Sequence, residues 1–443
     1  MNSPFSLRAS ALDRAFLAFG SRNPDARLDV GAILYAEGEA PTVADLRCLV
    51  DGALHELPVL SHALRGSASA VAWAPVPDFQ VVRHVVETVV AGEGRTCVEN
   101  EVQRLWAGPL PSALDWEMRL VRPSSGHGWA LSYRVHHGRQ DGVAIAQMLQ
   151  ILVTPAGPGP VPRPAAGKGV GTGMGRFLRA LGTGAAMYAG YRRFPPTGLG
   201  AEWELSGRRR ISTAATSLPR LRSVAHAAGG TVNDVHLAAL AGAVRAWCLE
   251  TGRTPAPLAV AVPLNVRRAE ESSTWGNRCF LRRVWLPCQE GDPQLRLLQT
   301  VKATTVLKSA RVRQTAQDLL HGSPAWLVKF ALHRVLDARY APVISSYVPC
   351  GEDEAAVPPS LTDVVPMTLL PPGHPFNVGL TTYGTTAQIA VISDVAVPGV
   401  DRLPVLWQQA AVQLWEAILS SPPAPRHPAD GRVGVPAGGR ARS

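Results

Sequence analysis

Hydrophobic and polar positions alternate over short runs in some parts of the chain and recur at helical spacing in others. Residues 129–135, WALSYRV, form a β-prone run with partial alternation, and residues 142–152, GVAIAQMLQIL, gather their apolar side chains on a helical face. The second half carries the same mixture. Its pattern predicts strands over 258–263, 280–286, 376–382 and 387–393, and helices over 235–249 and 402–419. Helices and short strands interleaved in both halves predict an α/β sandwich order. No sequence-level internal repeat is evident.

Between the halves, residues 154–173, TPAGPGPVPRPAAGKGVGTG, are too rich in Pro and Gly for a long regular element and read as a linker. A chain of 443 residues exceeds one ordinary core and divides into two. The expected organisation is an N-terminal lobe over 1–153, a linker region over 154–210, a C-terminal lobe over 211–420 and a Pro, Gly, Ala and Arg rich tail over 421–443. Charged residues at 18% and hydrophobic ones at 46% place most of the chain among globular proteins.

The junction between the run at 129–135 and the helix at 142–152 reads HHGRQDG, with His136, His137, Asp141 and Gly142 in an HHxxxDG arrangement. A loop held between a strand and a helix can aim an imidazole into a cavity with its position fixed. Neutral imidazole titrates near physiological pH. It can take the proton of an alcohol or amine attacking an acyl carbonyl and return it to a leaving thiolate, which makes His137 the candidate general base. His136 lies on the opposite side of the alternation and reads first as a packing residue. Asp141 either holds the loop or caps the following helix, and the two uses are compatible. Gly142 lets the backbone approach closely where a side chain would crowd the turn. Asn233 and Asp234 start the helix at 235–249, where either residue type caps free backbone donors.

These residues resemble the active-site motif of acyltransferases related to nonribosomal peptide condensation domains and chloramphenicol acetyltransferase. TVNDVHLAALAGAVRAW at 231–247, VAVPLNVR at 260–267 and WGNRCF at 275–280 are similar to the second half of the bacterial wax ester synthase/diacylglycerol acyltransferase family. ALDRAFLAF at 11–19 and the segment 42–84 resemble its beginning, so the likeness spans about 10 to 420. There are departures. Leu114, Asp115, Trp116 and Glu117 stand where that family usually has Pro-Leu-Trp-Glu. SSYVPCGEDEAAV replaces a usual Ser-Asn-Val-Pro-Gly pattern, and Gly384 and Asp394 are the best-matched late points.

The resemblance implies two chloramphenicol-acetyltransferase-like α/β lobes in a V-shaped pseudo-dimer, with a tunnel between them and HHGRQDG at its centre. It implies an acyl-CoA-dependent O-acyltransferase that makes triacylglycerol or wax esters by direct attack, with His137 as base, acyl-CoA as co-substrate and no bound cofactor. It places Asn233 and Asp234 toward the catalytic region. Asn265 and Asn277 become candidates to stabilise the developing oxyanion, with turn or capping roles standing beside that. A rival keeps the fold and base but makes an ester or amide in secondary metabolism, with a carrier-protein or CoA thioester as donor. A reading of another class is a module that binds an acyl ligand or a protein without turnover; the retained histidines, Asp141 and Gly142 count against it.

The remaining features narrow the setting. Net charge is +10 and the pI near 9.7, yet the basic residues are dispersed and aromatics few, which argues against nucleic acid as partner. Arg208 to Arg210 form a local cluster suited to the phosphates of a coenzyme A thioester or an anionic lipid head group, or else a solvated basic turn. No GxxxxGK[ST] loop supports ATP use. Six scattered cysteines without CxxC spacing argue against zinc and for free thiols in the cytoplasm. No stretch approaches the ~20 apolar residues of a bilayer span. Asp13 and Arg14 interrupt any secretory apolar core. Residues 175–194, apolar with arginines at both ends, read as an interfacial helix at a membrane or lipid body, or as a helix bridging the lobes.

Overall fold

The computed structural model describes residues 9–24, 26–66, 71–111, 113–153, 199, 203–268, 275–351 and 360–419. The linker at 154–173, the apolar stretch at 175–194, the acidic residues at 352–354 and the tail at 421–443 lie outside them.

In chain order the strands are β1 (Asp29–Ala36), β2 (His62–Arg65), β3 (Ala72–Pro75), β4 (Val85–Glu93), β5 (Trp116–Ser125), β6 (Trp129–His136), β7 (Arg209–Ser217), β8 (Leu258–Asn265), β9 (Cys279–Leu286), β10 (Val343–Pro349), β11 (Leu361–Met367), β12 (Phe376–Tyr383) and β13 (Thr386–Asp394). The expected strands at 129–135, 258–263, 280–286, 376–382 and 387–393 are β6, β8, β9, β12 and β13, each slightly longer than the pattern alone marked. The helices expected at 142–152, 235–249 and 402–419 form as Gly142–Val153, Val232–Glu250 and Leu403–Leu419.

Two mixed sheets carry the molecule, with orders β11-β1-β6-β5-β4 and β7-β13-β12-β10-β8-β9; β2 and β3 form a separate hairpin. β6 is central in the first sheet and buried along almost its whole length, which is why apolar side chains occupy both of its faces and its alternation is only partial, with Ser132 and Arg134 buried among them. Val232–Glu250 is buried over most of its turns between the second sheet and Leu403–Leu419. A capping box starts it: Thr231 Oγ1 accepts the Asp234 N–H while Asp234 accepts the Thr231 N–H.

The division at 153/211 is crossed by the chain. β11 belongs by sequence to the C-terminal segment, yet it pairs antiparallel with β1 from Gly31↔Met367 to Ala36↔Leu361 and forms the edge of the first sheet. The helix Ala325–Val335 likewise packs on the N-terminal helix Ala11–Arg22. Residues from both segments share one core, with Phe16, Leu34 and Tyr133 beside Ala259, Trp275 and Leu332. β11 is short and bounded by the acidic stretch, so its local pattern does not say which sheet it joins. Asp29 draws Arg134 at 2.8 Å and Arg209 at 3.1 Å into a buried ionic triad that ties β1, β6 and β7. Among the described residues no helix is long and apolar enough to cross a membrane.

Candidate active site

The two histidines sit where β6 stops. The His136 N–H donates to Asp115 O at 3.0 Å and the His137 N–H to Leu28 O at 2.8 Å, so backbone bonds to the neighbouring chains hold the exit of the strand. Asp141 then caps Gly142–Val153, its Oδ1 accepting the Ala144 N–H at 3.0 Å. The 137–141 loop is therefore fixed at both ends.

The second sheet reaches this loop through the β8/β9 hairpin, whose ladder closes with Asn265 opposite Cys279. Beyond the ladder, Val266 N–H donates to Arg278 O at 2.9 Å, which brings Arg267, Asn277 and Arg278 together. Arg267 grips Asp141 with both terminal nitrogens, Nη1 to Oδ2 at 2.9 Å and Nη2 to Oδ1 at 2.8 Å. The Arg278 N–H adds a third donor to Oδ2 at 2.8 Å. Burial alone would raise the Asp141 carboxyl, but the Arg267 guanidinium and these N–H donors outweigh it and hold the group below the usual carboxylate range. Asp141 does not bond His137. Its role is to join the loop, the helix and the second sheet.

Asn277 carries the link to His137. Its amide nitrogen donates to the His137 carbonyl at 2.7 Å and to Asp13 Oδ1 at 2.9 Å, so both of its N–H bonds are committed. That orientation leaves Asn277 Oδ1 facing His137 Nδ1 at 2.9 Å. An amide oxygen only accepts, so Nδ1 carries the proton and Nε2 carries the lone pair; the tautomer follows from the network. Among the described residues nothing bonds Nε2. Phe16 lies flat on the imidazole, ring centroids 4.2 Å apart and 11° from parallel. Burial pushes the His137 imidazole below its ordinary value, so the ring is neutral near pH 7.

Neither Asp13 nor Phe16 is marked by the sequence as a site residue. The helix Ala11–Arg22 supplies both on one face, three residues apart. Asp13 completes a capping box with Ser10 through Oδ2, while Oδ1 receives the Asn277 N–H and Nδ2. The only local signal is the run ALDRAF, in which a capping acid and a core aromatic share a helical face.

His137, Asp141 and Gly142 line a cavity with an empty volume of about 1500 Å³, its open mouth included. Val30, Ala32 and Leu34 of β1, Ile145 and Leu149 of the loop helix, and Pro366 of β11 make most of its wall apolar. Gly142 is needed here: a Cβ would stand 2.8 Å from Val348 Cγ2 of β10.

The other expected residues are distributed differently. His136 is half-buried, and its Nδ1 accepts the Gly138 N–H at 3.0 Å; desolvation lowers its pKa to about 4. It braces the loop backbone as a neutral ring. Asn265 lines the cavity, with Oδ1 accepting the Arg267 N–H at 3.1 Å. Asn277 cannot donate to an oxyanion, because its amide hydrogens already have acceptors. Neither Asn233 nor Asp234 lines the cavity. Asp234 is turned into its capping box and receives Thr304 Oγ1 and Lys308 Nζ. Of the Arg208 to Arg210 cluster, Arg209 is buried on Asp29, so it is not available to a phosphate, and Arg210 lies 3.8 Å from Asp401. Among the described residues no group of His, Cys, Asp and Glu could hold a metal, and all six cysteines are free thiols.

The model of the wax ester synthase/diacylglycerol acyltransferase catalytic domain matches residues 10–174 and 164–236 of the chain, which together cover just over half of it.

The chain belongs to the wax ester synthase/diacylglycerol acyltransferase family.

It is accordingly an acyltransferase. A chain named as a diacylglycerol O-acyltransferase in Mycobacterium tuberculosis H37Rv is 26% identical over 421 residues, covering 84% of this chain and 91% of that one. Another from the same strain, named tgs1, is 24% identical over 341 residues, covering 70% and 73%. Among solved structures, the wax ester synthase/diacylglycerol acyltransferase of Marinobacter aquaeolei VT8 superposes with a TM-score of 0.63 at 19% identity over 93% of this chain and 99% of that one. The first condensation domain of the calcium-dependent antibiotic synthetase gives 0.63 at 18% over 94% and 97%. The starter condensation domain of rhizomide synthetase, solved with C8-CoA and Leu-SNAC, gives 0.62 at 12% over 94% and 95%. The fold is thus shared by family members and condensation domains.

The Leu-Asp-Trp-Glu departure has a structural counterpart in this family member. Asp115, in place next to Trp116, pairs with Arg139 of HHGRQDG at 2.9 Å. The buried Arg139 also donates to Val59 O and His62 O and lies over Trp73. The acid beside the tryptophan therefore answers a cation in the active-site loop.

Proposed function

We propose that this acyltransferase transfers an acyl group from acyl-CoA to the hydroxyl of a diacylglycerol or long-chain alcohol, in one direct step with His137 as general base. The observation that carries this reading is the tautomer: Asn277 holds the Nδ1 proton, so Nε2 offers its lone pair on a ring that lines an apolar cavity. In the step, the acceptor O–H proton passes to Nε2 as the oxygen forms its bond to the thioester carbonyl carbon. The tetrahedral oxyanion then collapses, the C–S bond breaks, and the coenzyme A thiolate takes the proton back from the imidazolium.

Several features support this assignment. Asn277 and the Asn277–Asp13 contact favour an imidazole that can become cationic for a moment, since Asn277 Oδ1 accepts from Nδ1–H in both protonation states. Asn265, at the cavity wall, is the remaining amide for the oxyanion. An apolar wall suits acyl and alkyl chains, and a small polar acceptor would find few partners on it. Family membership supports the lipid acceptor, and the C8-CoA complex of the rhizomide domain supports a CoA donor.

The test is turnover of purified protein with a panel of acyl-CoAs against diacylglycerol, long-chain alcohols and small amines, following thiol release and product mass. A lipid ester made by the native chain and reduced roughly 10²–10⁴-fold by His137→Ala is the expected result. A folded His137→Ala variant with undiminished turnover refutes the base. Amide formation, or activity with a carrier-bound thioester only, would move the chain to a tailoring role.

A further inference from the structure

A second cavity lies behind β9, enclosed by the helices Ala310–Gly322 and Ala325–Val335 and by the start of Ala11–Arg22. Its empty volume is about 940 Å³, mouth included, and its wall is almost wholly hydrocarbon, with Leu12, Phe280, Leu327 and Ala331 among the lining residues. Two residues, Cys279 and Leu281, line this cavity and the His137 cavity alike. Cys279 is only two residues beyond Asn277, which fixes the base. Two apolar cavities therefore share one strand as their wall, within a few residues of the reacting groups. Phe330, which is 46% exposed, also lines the second, with the Arg334 guanidinium 5.2 Å from its ring centroid.

We infer that the cavity behind β9 is a hydrocarbon subsite that takes one of the two alkyl arms joined in the ester, the other arm lying in the His137 cavity. The inference rests on the acyltransferase reading given above. An ester of two long chains has hydrocarbon arms that diverge from the reacting carbonyl, and transfer requires both to be held while the oxygen and carbon meet at the base. A cavity that shares Cys279 and Leu281 with the catalytic one, and whose wall is mostly hydrocarbon with Ser323, Arg334 and Tyr340 as its polar members, fits an alkyl arm. Each methylene buried there contributes roughly fourfold to binding.

The test narrows this cavity without touching His137, Asn277 or Asp141. Leu327→Trp and Ala331→Trp each replace a half-buried lining residue, with Ala331→Leu as the milder form should a tryptophan variant fail to fold. Turnover is compared with the native chain across acyl-CoAs of increasing length at one alcohol, and across alcohols of increasing length at one acyl-CoA. The expected result is a loss of at least tenfold in kcat/KM for the longest members of one series, with the shortest members unchanged; the affected series identifies the arm. Equal loss at every length, or no change in either series, overturns the subsite. Binding of a fluorescent long-chain fatty acid separates this from failure of the functional reading. If the native chain makes no ester but binds the probe, and the narrowed variants do not, the cavity stands as an alkyl-binding site and the proposed lipid-ester synthesis falls.

Discussion

Asn277 Oδ1 accepts the His137 Nδ1 proton at 2.9 Å while the same side chain donates to Asp13 Oδ1 and to the His137 carbonyl. One amide thus fixes the tautomer, the ring and the loop backbone, and it is itself fixed by an aspartate whose other oxygen caps a helix. Replacing it by leucine removes the acceptor but keeps the volume. Asn277→Leu should lower kcat roughly tenfold to a hundredfold with little change in KM, the scale expected when a catalytic group loses its alignment. Asn277→Asp puts a second carboxylate beside Asp13 and stabilises the imidazolium, so its acid limb should move to higher pH. A pH–rate profile of the two variants checks both, and an unchanged kcat in Asn277→Leu would remove the positioning role.

The pH dependence has a definite sign. Burial lowers the His137 imidazole from its ordinary value of 6.5, and the proposed general base must be neutral to act. Activity should therefore be constant through neutral pH and fall on the acid side, with its midpoint below 6.5. Stability follows the same direction through other rings. His136 is lowered to about 4, His236 to about 3 and His374 to about 4, each first by desolvation. Below 6.5 the unfolded chain takes up protons that these folded rings refuse, so stability decreases as pH falls from about 6.5 toward 4 and is independent of them above that window. Denaturant unfolding at a series of pH values measures it. A stability that rises on acidification over that window would contradict the burial of these rings.

The Asp141–Arg267 pair joins the active-site loop to the second sheet, and both side chains are almost fully buried. Truncating one partner leaves the other charge without its counter-ion, at a cost of about 3–5 kcal/mol. Asp141→Ala should exceed Arg267→Ala, since Asp141 also accepts from Ala144 and Arg278 backbone N–H groups. The double variant should lose less than the two single losses added, because the second removal no longer strands a charge. Chemical denaturation of the three variants provides the cycle, and strict additivity would mean that the pair is not the unit described.

How much of this was legible in the sequence depends on the range over which each residue acts. β6, β8, β9, β12 and β13 show themselves because buried strands collect apolar side chains, and HHGRQDG marks its own place between a strand and a helix. The His137 ring and its loop are local. Its partners are not: Asn277 lies 140 residues from His137 and 264 from Asp13. Asn277 is legible as an amide near the site, but its bond to Nδ1 depends on the β8/β9 hairpin meeting the first helix, which no periodicity encodes. Asp13 announces only a helix start, and Phe16 only a core position. At Asp234 the local capping signal is right, and it is the resemblance that places the residue toward the catalytic region; the structure keeps it in its capping box, holding Thr304 and Lys308. β11 is hidden for a related reason. Seven residues of mixed polarity do not disclose that their hydrogen bonds are made with β1, more than 300 positions earlier.

Gly142 offers a test of the contact between the two sheets at the site itself. A methyl group added there stands 2.8 Å from Val348 Cγ2, and a β-branched valine has little rotamer freedom with which to withdraw. Either the start of the helix Gly142–Val153 or β10 must move, and a shift of the helix start would carry Asp141 and the His137 loop with it. Gly142→Ala should destabilise by about 1–3 kcal/mol, as overpacking does. It should also lower kcat, because Asp141 is the adjacent residue. Val348→Ala removes the obstructing methyl, so the double variant should be more stable than Gly142→Ala alone and should recover part of its turnover. Thermal unfolding and turnover of the four forms decide the matter. If Val348→Ala adds its own loss to that of Gly142→Ala, the glycine is needed for backbone conformation and not for the close approach of β10.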